Sequence, residues 1–212
     1  MDFIYALKAF EEEPITRQLV LDLLKEYKRP NDKINELVKQ NVLTSIKRGL
    51  YMPGPNSHLN PPDPFLIANH LWGPSYISLD SALSYWGMIP ERVYEISSIT
   101  LKPSKIFKTA IGRFNYVHAK APYYTFGIQS IALSAKQMVM IASPEKALFD
   151  KIIMTSGIVI RSTSQARDLL IEDYRMEETL LKKLNLAMMK SWIVDSPKRS
   201  SLAILIKMIE QL

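Results

Sequence analysis

An α+β fold in two units is what this 212-residue sequence predicts, and three features carry the prediction. Residues 16–53 read as two amphipathic helices followed by a tight hairpin; residues 53–62 hold four prolines and a glycine; and residues 93–119 alternate β-branched and aromatic side chains with polar ones. A chain of this length can bury one sizeable core, or one small core and one larger. The expected division is a first unit at 1–53, a proline-rich linker at 54–62 and a larger unit at 63–212.

The first long helix is expected to begin near Thr16, whose hydroxyl can accept from the free amides of a first turn. Leu19, Val20, Leu23 and Leu24 then recur at helical spacing and form its buried stripe. Lys28, Arg29 and Pro30 break the run. Proline disfavours helical geometry at the residue before it yet suits a first turn, so the next helix is expected from about Asn31 or Asp32. Its inward face is Ile34, Leu37 and Val38; its outward face is Asp32, Asn35, Glu36 and Lys39, flanked by Lys33 and Gln40. Gly49 supplies permissive backbone for a turn between two short strands, with Lys47 and Arg48 at the tip.

Helix, helix and basic hairpin in that order suit a winged helix-turn-helix module, in which one helix enters the major groove and a positive loop meets the backbone. Residues 25–48 carry seven lysines and arginines against three carboxylates, a local charge of +4. The expected contacts with double-stranded DNA are Arg29, Lys47 and Arg48 to phosphates, with Asn31, Lys33, Asn35 and Lys39 near base edges or backbone. A second reading takes these charges as the solvated surface of a small helical domain. Asp32 and Glu36 favour it, since they would repel phosphates. Glu11, Glu12 and Glu13 would have to face away from a duplex.

In the larger unit, Asp63 and Pro64 should start a helix ending near Leu71, and Ser78 another ending near Trp86, stopped by Gly87 and Pro90. A hairpin is expected from residues 106–118 around Gly112 and Arg113, and a further strand over residues 139–142. Ser143, Pro144 and Glu145 combine a capping hydroxyl, a first-turn proline and an early carboxylate, which predicts a helix start. Three more helices are expected over residues 164–172, 177–187 and 197–211. The whole unit reads as a few antiparallel strands with several helices around them.

The residues that could carry catalysis have bland readings. His58, His70 and His118 are far apart and lack metal-ligand spacing, so each is expected at the surface. Ser78, Ser81 and Ser143 stand at helix starts, where capping accounts for them. Glu145, Lys146 and Asp150 suggest a nuclease-like cluster, but adjacent helical residues diverge by about 100°; Glu145 is therefore assigned to the helix N-terminus, and Ala147, Leu148, Phe149 and Ile152 to a buried stripe. Tyr76, Tyr85, Trp86, Tyr116, Tyr123 and Tyr124 are expected mostly in the core. No glycine-rich nucleotide loop or nucleophile elbow occurs. The reading is of a non-enzymatic chain without cofactor or metal.

Zero cysteines removes disulfides and thiolate chemistry, which is compatible with a reducing cytoplasm. Residues 1–8 lack the basic start of a secretory signal, and no apolar run reaches the ~20 residues of a membrane span. A net charge of +6 and a pI near 9.3 suit a nucleic-acid or acidic partner. A cytoplasmic protein without membrane contact is expected.

Several segments in order then point to a family. Ser75-Tyr-Ile-Ser-Leu-Asp-Ser-Ala-Leu-Ser-Tyr-Trp-Gly-Met-Ile-Pro-Glu91, Ser97-Ser-Ile-Thr100, Gly112-Arg-Phe-Asn-Tyr116 and Ile141-Ala-Ser-Pro-Glu-Lys-Ala-Leu-Phe-Asp150 resemble the AbiEi-type antitoxins and related transcriptional regulators of type IV toxin-antitoxin systems. With the helix and hairpin order the likeness spans much of residues 16–150, and it is weakest after Asp150. It implies a winged-helix domain that represses its own operon. It also implies a C-terminal domain that opposes a nucleotidyltransferase-like toxin, generally without a stable complex. A stand-alone winged-helix regulator whose second domain senses a ligand or dimerises is the alternative; an enzyme acting on nucleic acid would need carboxylates converging in a cleft.

Overall fold

The computed structural model describes residues 3–212, and the chain is α+β, with ten α-helices and two sheets among the described residues. The small unit begins with α1 (Phe3–Leu7), a two-residue strand β1 (Ile15–Thr16), α2 (Arg17–Leu23) and α3 (Pro30–Lys39). Thr16 caps α2 by accepting from the Leu19 amide at 3.3 Å. Pro30 opens α3 one residue earlier than the sequence suggests, because its missing N–H is no loss in a first turn. A hairpin follows, β2 (Leu43–Lys47) and β3 (Leu50–Pro53), turned at Gly49 with φ of 87°. β1 pairs with β3, giving a three-stranded antiparallel sheet of order β1-β3-β2.

Alternate side chains of this hairpin serve two different cores, since successive residues of a strand point to opposite faces. Leu43 and Tyr51 join Val20, Leu24, Ile34 and Leu37 in the small core. Ile46, Leu50 and Met52 join the large core of the rest of the chain. Residues 54–62, expected as a linker, are packed against the first unit. Gly54 and Asn56 donate backbone N–H groups to the carbonyls of Val42 and Asn41, and the Asn56 side chain donates to Gln40, so this segment satisfies carbonyls left open where α3 ends. A Cβ on Gly54 would stand 2.3 Å from the Asn41 oxygen, so only glycine fits there.

The larger unit contains α4 (Pro64–Leu71), β4 (Ser75–Ile77), α5 (Leu79–Tyr85), β5 (Ile96–Thr100), β6 (Lys105–Thr109), β7 (Gly112–His118), β8 (Ile128–Ala132), β9 (Met138–Ala142) and α6 (Pro144–Met154). Asp63 caps α4, accepting from Phe65 at 2.7 Å, and Ser143 caps α6, accepting from Lys146 at 3.2 Å. The strands form one six-stranded sheet of order β6-β7-β5-β4-β9-β8. It is mixed, not purely antiparallel as expected: β5 lies parallel to β7, and β4 to β9. The β6–β7 hairpin folds back so that its second strand, not its first, meets β5. Gly112 and Arg113 belong to β7, and the turn falls at Ala110 and Ile111.

The tail adds α7 (Thr163–Arg167), a π-helical turn (Asp168–Asp173), α8 (Glu178–Leu181), α9 (Leu186–Trp192) and α10 (Arg199–Ile209). The single helix expected over residues 177–187 is split. Asn185 interrupts it by capping α9 through the Met188 amide at 3.0 Å, while its own N–H donates to Glu145. Among the described residues no helix is long and apolar enough to cross a membrane.

Candidate nucleic-acid interface and a buried ion pair

The outward face of α3 is exposed at Asn31, Asp32, Asn35, Glu36 and Lys39, as are Arg29 before it and Arg48 at the hairpin turn. Arg17, absent from the expected contacts, joins these pieces. Its backbone N–H donates to the Gly49 carbonyl at 3.0 Å, and its Nη2 donates to Asn31 Oδ1 at 2.6 Å. One residue thereby brackets the hairpin turn and the start of α3. A cation directly after the capping Thr16 opposes the dipole of α2, a local conflict that could have drawn attention to Arg17 in the sequence.

Two expected contacts are otherwise engaged. Lys33 is half-buried, its Nζ 2.7 Å from Glu36 and over the Tyr27 ring. Glu36 also accepts from Gln40 at 3.1 Å, so its charge is largely answered within the helix. Hydrogen bonding to Lys33 holds the Glu36 carboxyl below, and the Lys33 ammonium above, their ordinary values. Lys47 is not an exposed tip residue: it pairs with Leu50 at the end of β2 and its Nζ donates to the Leu71 carbonyl at the end of α4. Arg48 and Gly49 make the tip. Two of the acids before α2 are engaged elsewhere. Glu11 accepts from Asn60, and Glu12 from Ser134 and Gln137, which binds the first unit to the β8–β9 hairpin.

The chain also holds a fully buried ion pair. Lys146 and Asp150 are both 0% exposed and 3.0 Å apart. Asp150 accepts from the hydroxyls of Tyr123 and Ser78, each at 2.6 Å, and of Tyr76 at 3.1 Å. Lys146 also donates to the Tyr123 carbonyl at 3.0 Å and lies over the Tyr123 ring. Sequence reasoning missed this cluster by comparing neighbours on the helix; residues four apart lie on one face. Ser78 and Ser81 are not caps: Ser78 serves Asp150, and Ser81 bridges the Glu95 carbonyl and the Ser97 amide. Glu145 does not serve the start of α6 alone; it accepts from Asn185 of the tail.

Burial, reinforced by the Asp150 charge, pushes the Tyr76 and Tyr123 hydroxyls well above the ordinary value of 10.0. Burial pushes the Lys146 ammonium down from 10.5, with Asp150 opposing. The unfolded chain releases the two tyrosine protons first, so the stability they contribute is complete below about pH 10 and is lost as pH rises beyond it. Lys146 works in the opposite sense, gaining as pH approaches 10.5, as do Lys47 and Lys198, while burial of Tyr116, Tyr124 and Tyr174 adds to the tyrosine side. Stability is therefore expected to fall above about pH 10, with the tyrosinate absorbance of Tyr76 and Tyr123 appearing only on unfolding. Their ionisation in a chain with intact circular dichroism would refute the burial argument.

A surface cleft of about 380 Å³ lies beside α5 and α6, lined by Asp80, Glu91, Arg92, Tyr94, Lys151 and Tyr174 among others. Its carboxylates are largely paired, Asp80 with Lys151 at 2.8 Å, Glu91 with Arg175 and Glu95 with Arg113. His58, His70 and His118 are exposed, and among the described residues no group of histidine and carboxylate side chains could hold a metal ion. Of the aromatic residues expected in the core, Tyr76, Tyr116, Tyr123 and Tyr124 are buried and Tyr85 is 43% exposed.

No protein-family model matches the chain, and no curated protein is significantly similar to it. Its fold is similar to the crystal structure of the RV2827C protein from Mycobacterium tuberculosis, with a TM-score of 0.63 over 97% of this chain and 75% of that one, at 15% identity. At that identity the likeness is one of fold.

Proposed function

We propose that residues 1–53 form a winged helix-turn-helix module that binds double-stranded DNA. The observation that carries this reading is Arg17, which ties the hairpin turn and the start of α3 into one surface bearing Arg29, Lys39 and Arg48. The neutralising partners of Glu36 support it, because they reduce the repulsion a carboxylate on that face would exert on phosphates. In the fuller proposal the chain is a cytoplasmic, non-enzymatic antitoxin that represses its own operon and opposes a nucleotidyltransferase-like toxin. That part rests on the sequence resemblance to the AbiEi-type family.

Mobility shift at ~0.1 M salt tests the first statement. Replacing Arg17 and Arg48 together with alanine is expected to weaken binding on the order of 10- to 100-fold, since the Arg48 phosphate contact is lost along with the Arg17–Asn31 hydrogen bond that holds the start of α3. Replacing Asn35 should instead reduce the preference for the chain's own promoter over scrambled DNA. Equal binding to both duplexes by the unaltered chain would remove the claim of specificity. Co-expression with the adjacent gene, scored by growth, tests the antitoxin statement: growth arrest relieved by this chain is the expected result.

The 380 Å³ cleft favours one second reading, a stand-alone regulator whose larger unit takes a small ligand. A neighbouring gene without toxicity, together with a ligand-dependent change in DNA affinity, would select it.

A further inference from the structure

Two strands end the six-stranded sheet, β6 and β8, and they differ in protection. An edge strand offers unpaired backbone groups to any other strand, and charges, prolines or bulges are what blunt it. β6 carries Lys105 and Lys108. β8, Ile128-Gln-Ser-Ile-Ala132, has no charge and no proline, and its register with β9 is unbroken. The direction of its backbone groups follows from the ladder. The Ser143 amide donates to the Gly127 carbonyl at 2.7 Å and the Leu133 amide to the Gln137 carbonyl at 2.9 Å, so the odd-numbered residues here bond towards β9. Met140, opposite Ser130, turns its N–H away from β8 to Asn69 Oδ1 at 2.7 Å. The N–H and C=O groups of Ile128, Ser130 and Ala132 therefore point out of the sheet edge, where no further strand follows. One face of this edge is also apolar and uncovered. Met138 and Met140, opposite Ala132 and Ser130, are 55% and 41% exposed. Ser130 and Ala132 are small and exposed, which leaves room for the methionine side chains to lie over β8 and reach past it.

We propose that β8 pairs antiparallel with β8 of a second copy about a twofold axis through Ser130, joining the two sheets into one. The strand is complementary to itself. Ser130 meets Ser130, and Ile128 meets Ala132 in both directions, so each large side chain faces a small one and no like charges are brought together. In that register the outward residues Ile128, Ser130 and Ala132 are the ones that exchange main-chain hydrogen bonds. The same pairing of β6 would gather two lysines from each copy on one seam. A twofold contact at β8 leaves the α3 face free, and it does not depend on the DNA-binding reading.

The chain has no cysteine, so a single introduced thiol reports on the axis. Ser130→Cys is expected to cross-link the full chain to itself on mild oxidation, because residues paired in this way stand about 5.5 Å apart and a disulfide spans roughly 4.4–6.8 Å between Cα atoms. Ala132→Cys should not cross-link, since its two copies would lie roughly 13 Å apart along the seam. Sedimentation of the unaltered chain should show a monomer–dimer equilibrium that shifts with concentration. Ser130→Lys, which sets two ammonium groups on the axis at an exposed position, should be monomeric with unchanged circular dichroism. Should that variant fold poorly, the contrast between the two cysteine variants decides alone. The inference is overturned by a chain that stays monomeric up to ~1 mM, by a dimer that a folded Ser130→Lys chain keeps, or by equal cross-linking of the two cysteine variants. A monomeric chain that binds the product of the adjacent gene, and loses it in Ser130→Lys, would assign the edge to a different partner and also overturn self-pairing.

Discussion

Replacing Asp150 with alanine is expected to remove about 3–5 kcal/mol of stability, a large part of the ~5–15 kcal/mol that a domain holds. The carboxylate accepts from three hydroxyls and an ammonium, all buried. Its loss leaves the Lys146 charge facing the Tyr123 carbonyl and the rings of Tyr123 and Tyr76, in a place where an unpaired charge is very costly. Substituting Lys146→Met with Asp150→Leu removes both charges and should cost less than Asp150→Ala alone, since replacing both partners by apolar groups avoids the stranded ion. Urea unfolding measures all three chains. A cost below about 1 kcal/mol for Asp150→Ala would show that the pair is not the keystone its burial suggests.

This cluster also bears on the meaning of the family resemblance. Tyr76 and Ser78 come from the segment 75–91, and Lys146 and Asp150 from the segment 141–150, the two longest of the segments on which the proposed AbiEi resemblance rests. In space they meet at a single carboxylate. The resembling residues there act on the fold of the larger unit, and none of them lies on the α3 face.

What could be read from the sequence follows the reach of the forces involved. Caps and first-turn prolines act within four residues, and so Thr16, Pro30, Asp63 and Ser143 mark helix starts correctly or within a residue. A strand that alternates, such as β7, also declares itself, as does β9 by its unbroken apolar run. β4 does not, because Ser75–Ile77 is buried throughout, which erases the alternation; β5 falls inside the alternating stretch 93–119, but its buried Ser97 and Ser98 hide its place in the middle of the sheet. Parallel pairing of β5 with β7 depends on contacts remote in sequence and leaves no local signature. The exposed α3 face was legible from its apolar period. The engagement of Lys47 with the Leu71 carbonyl was not, since it is set by how two units pack. Lys146 and Asp150 share a face of α6 because they stand four residues apart, a relation that the divergence of adjacent helical residues does not reveal.

Replacing Ile34 with aspartate is expected to abolish the proposed DNA binding and to weaken the larger unit as well. Ile34 is 4% exposed in the small core, where an unpaired carboxylate costs several kcal/mol. A core of nine buried residues has little reserve against such a loss. When it melts, Ile46, Leu50 and Met52 lose the hairpin that holds them in the large core, each contributing roughly 1.5–3 kcal/mol by burial. Tryptophan reports on this coupling because Trp72, Trp86 and Trp192 all lie beyond residue 62. The fluorescence transition should therefore move to lower urea concentration, together with a loss of helical circular dichroism. An unchanged fluorescence transition alongside lost DNA binding would show that the larger unit does not depend on the hairpin. Unchanged circular dichroism and intact binding would overturn the assignment of Ile34 to the inward face of α3.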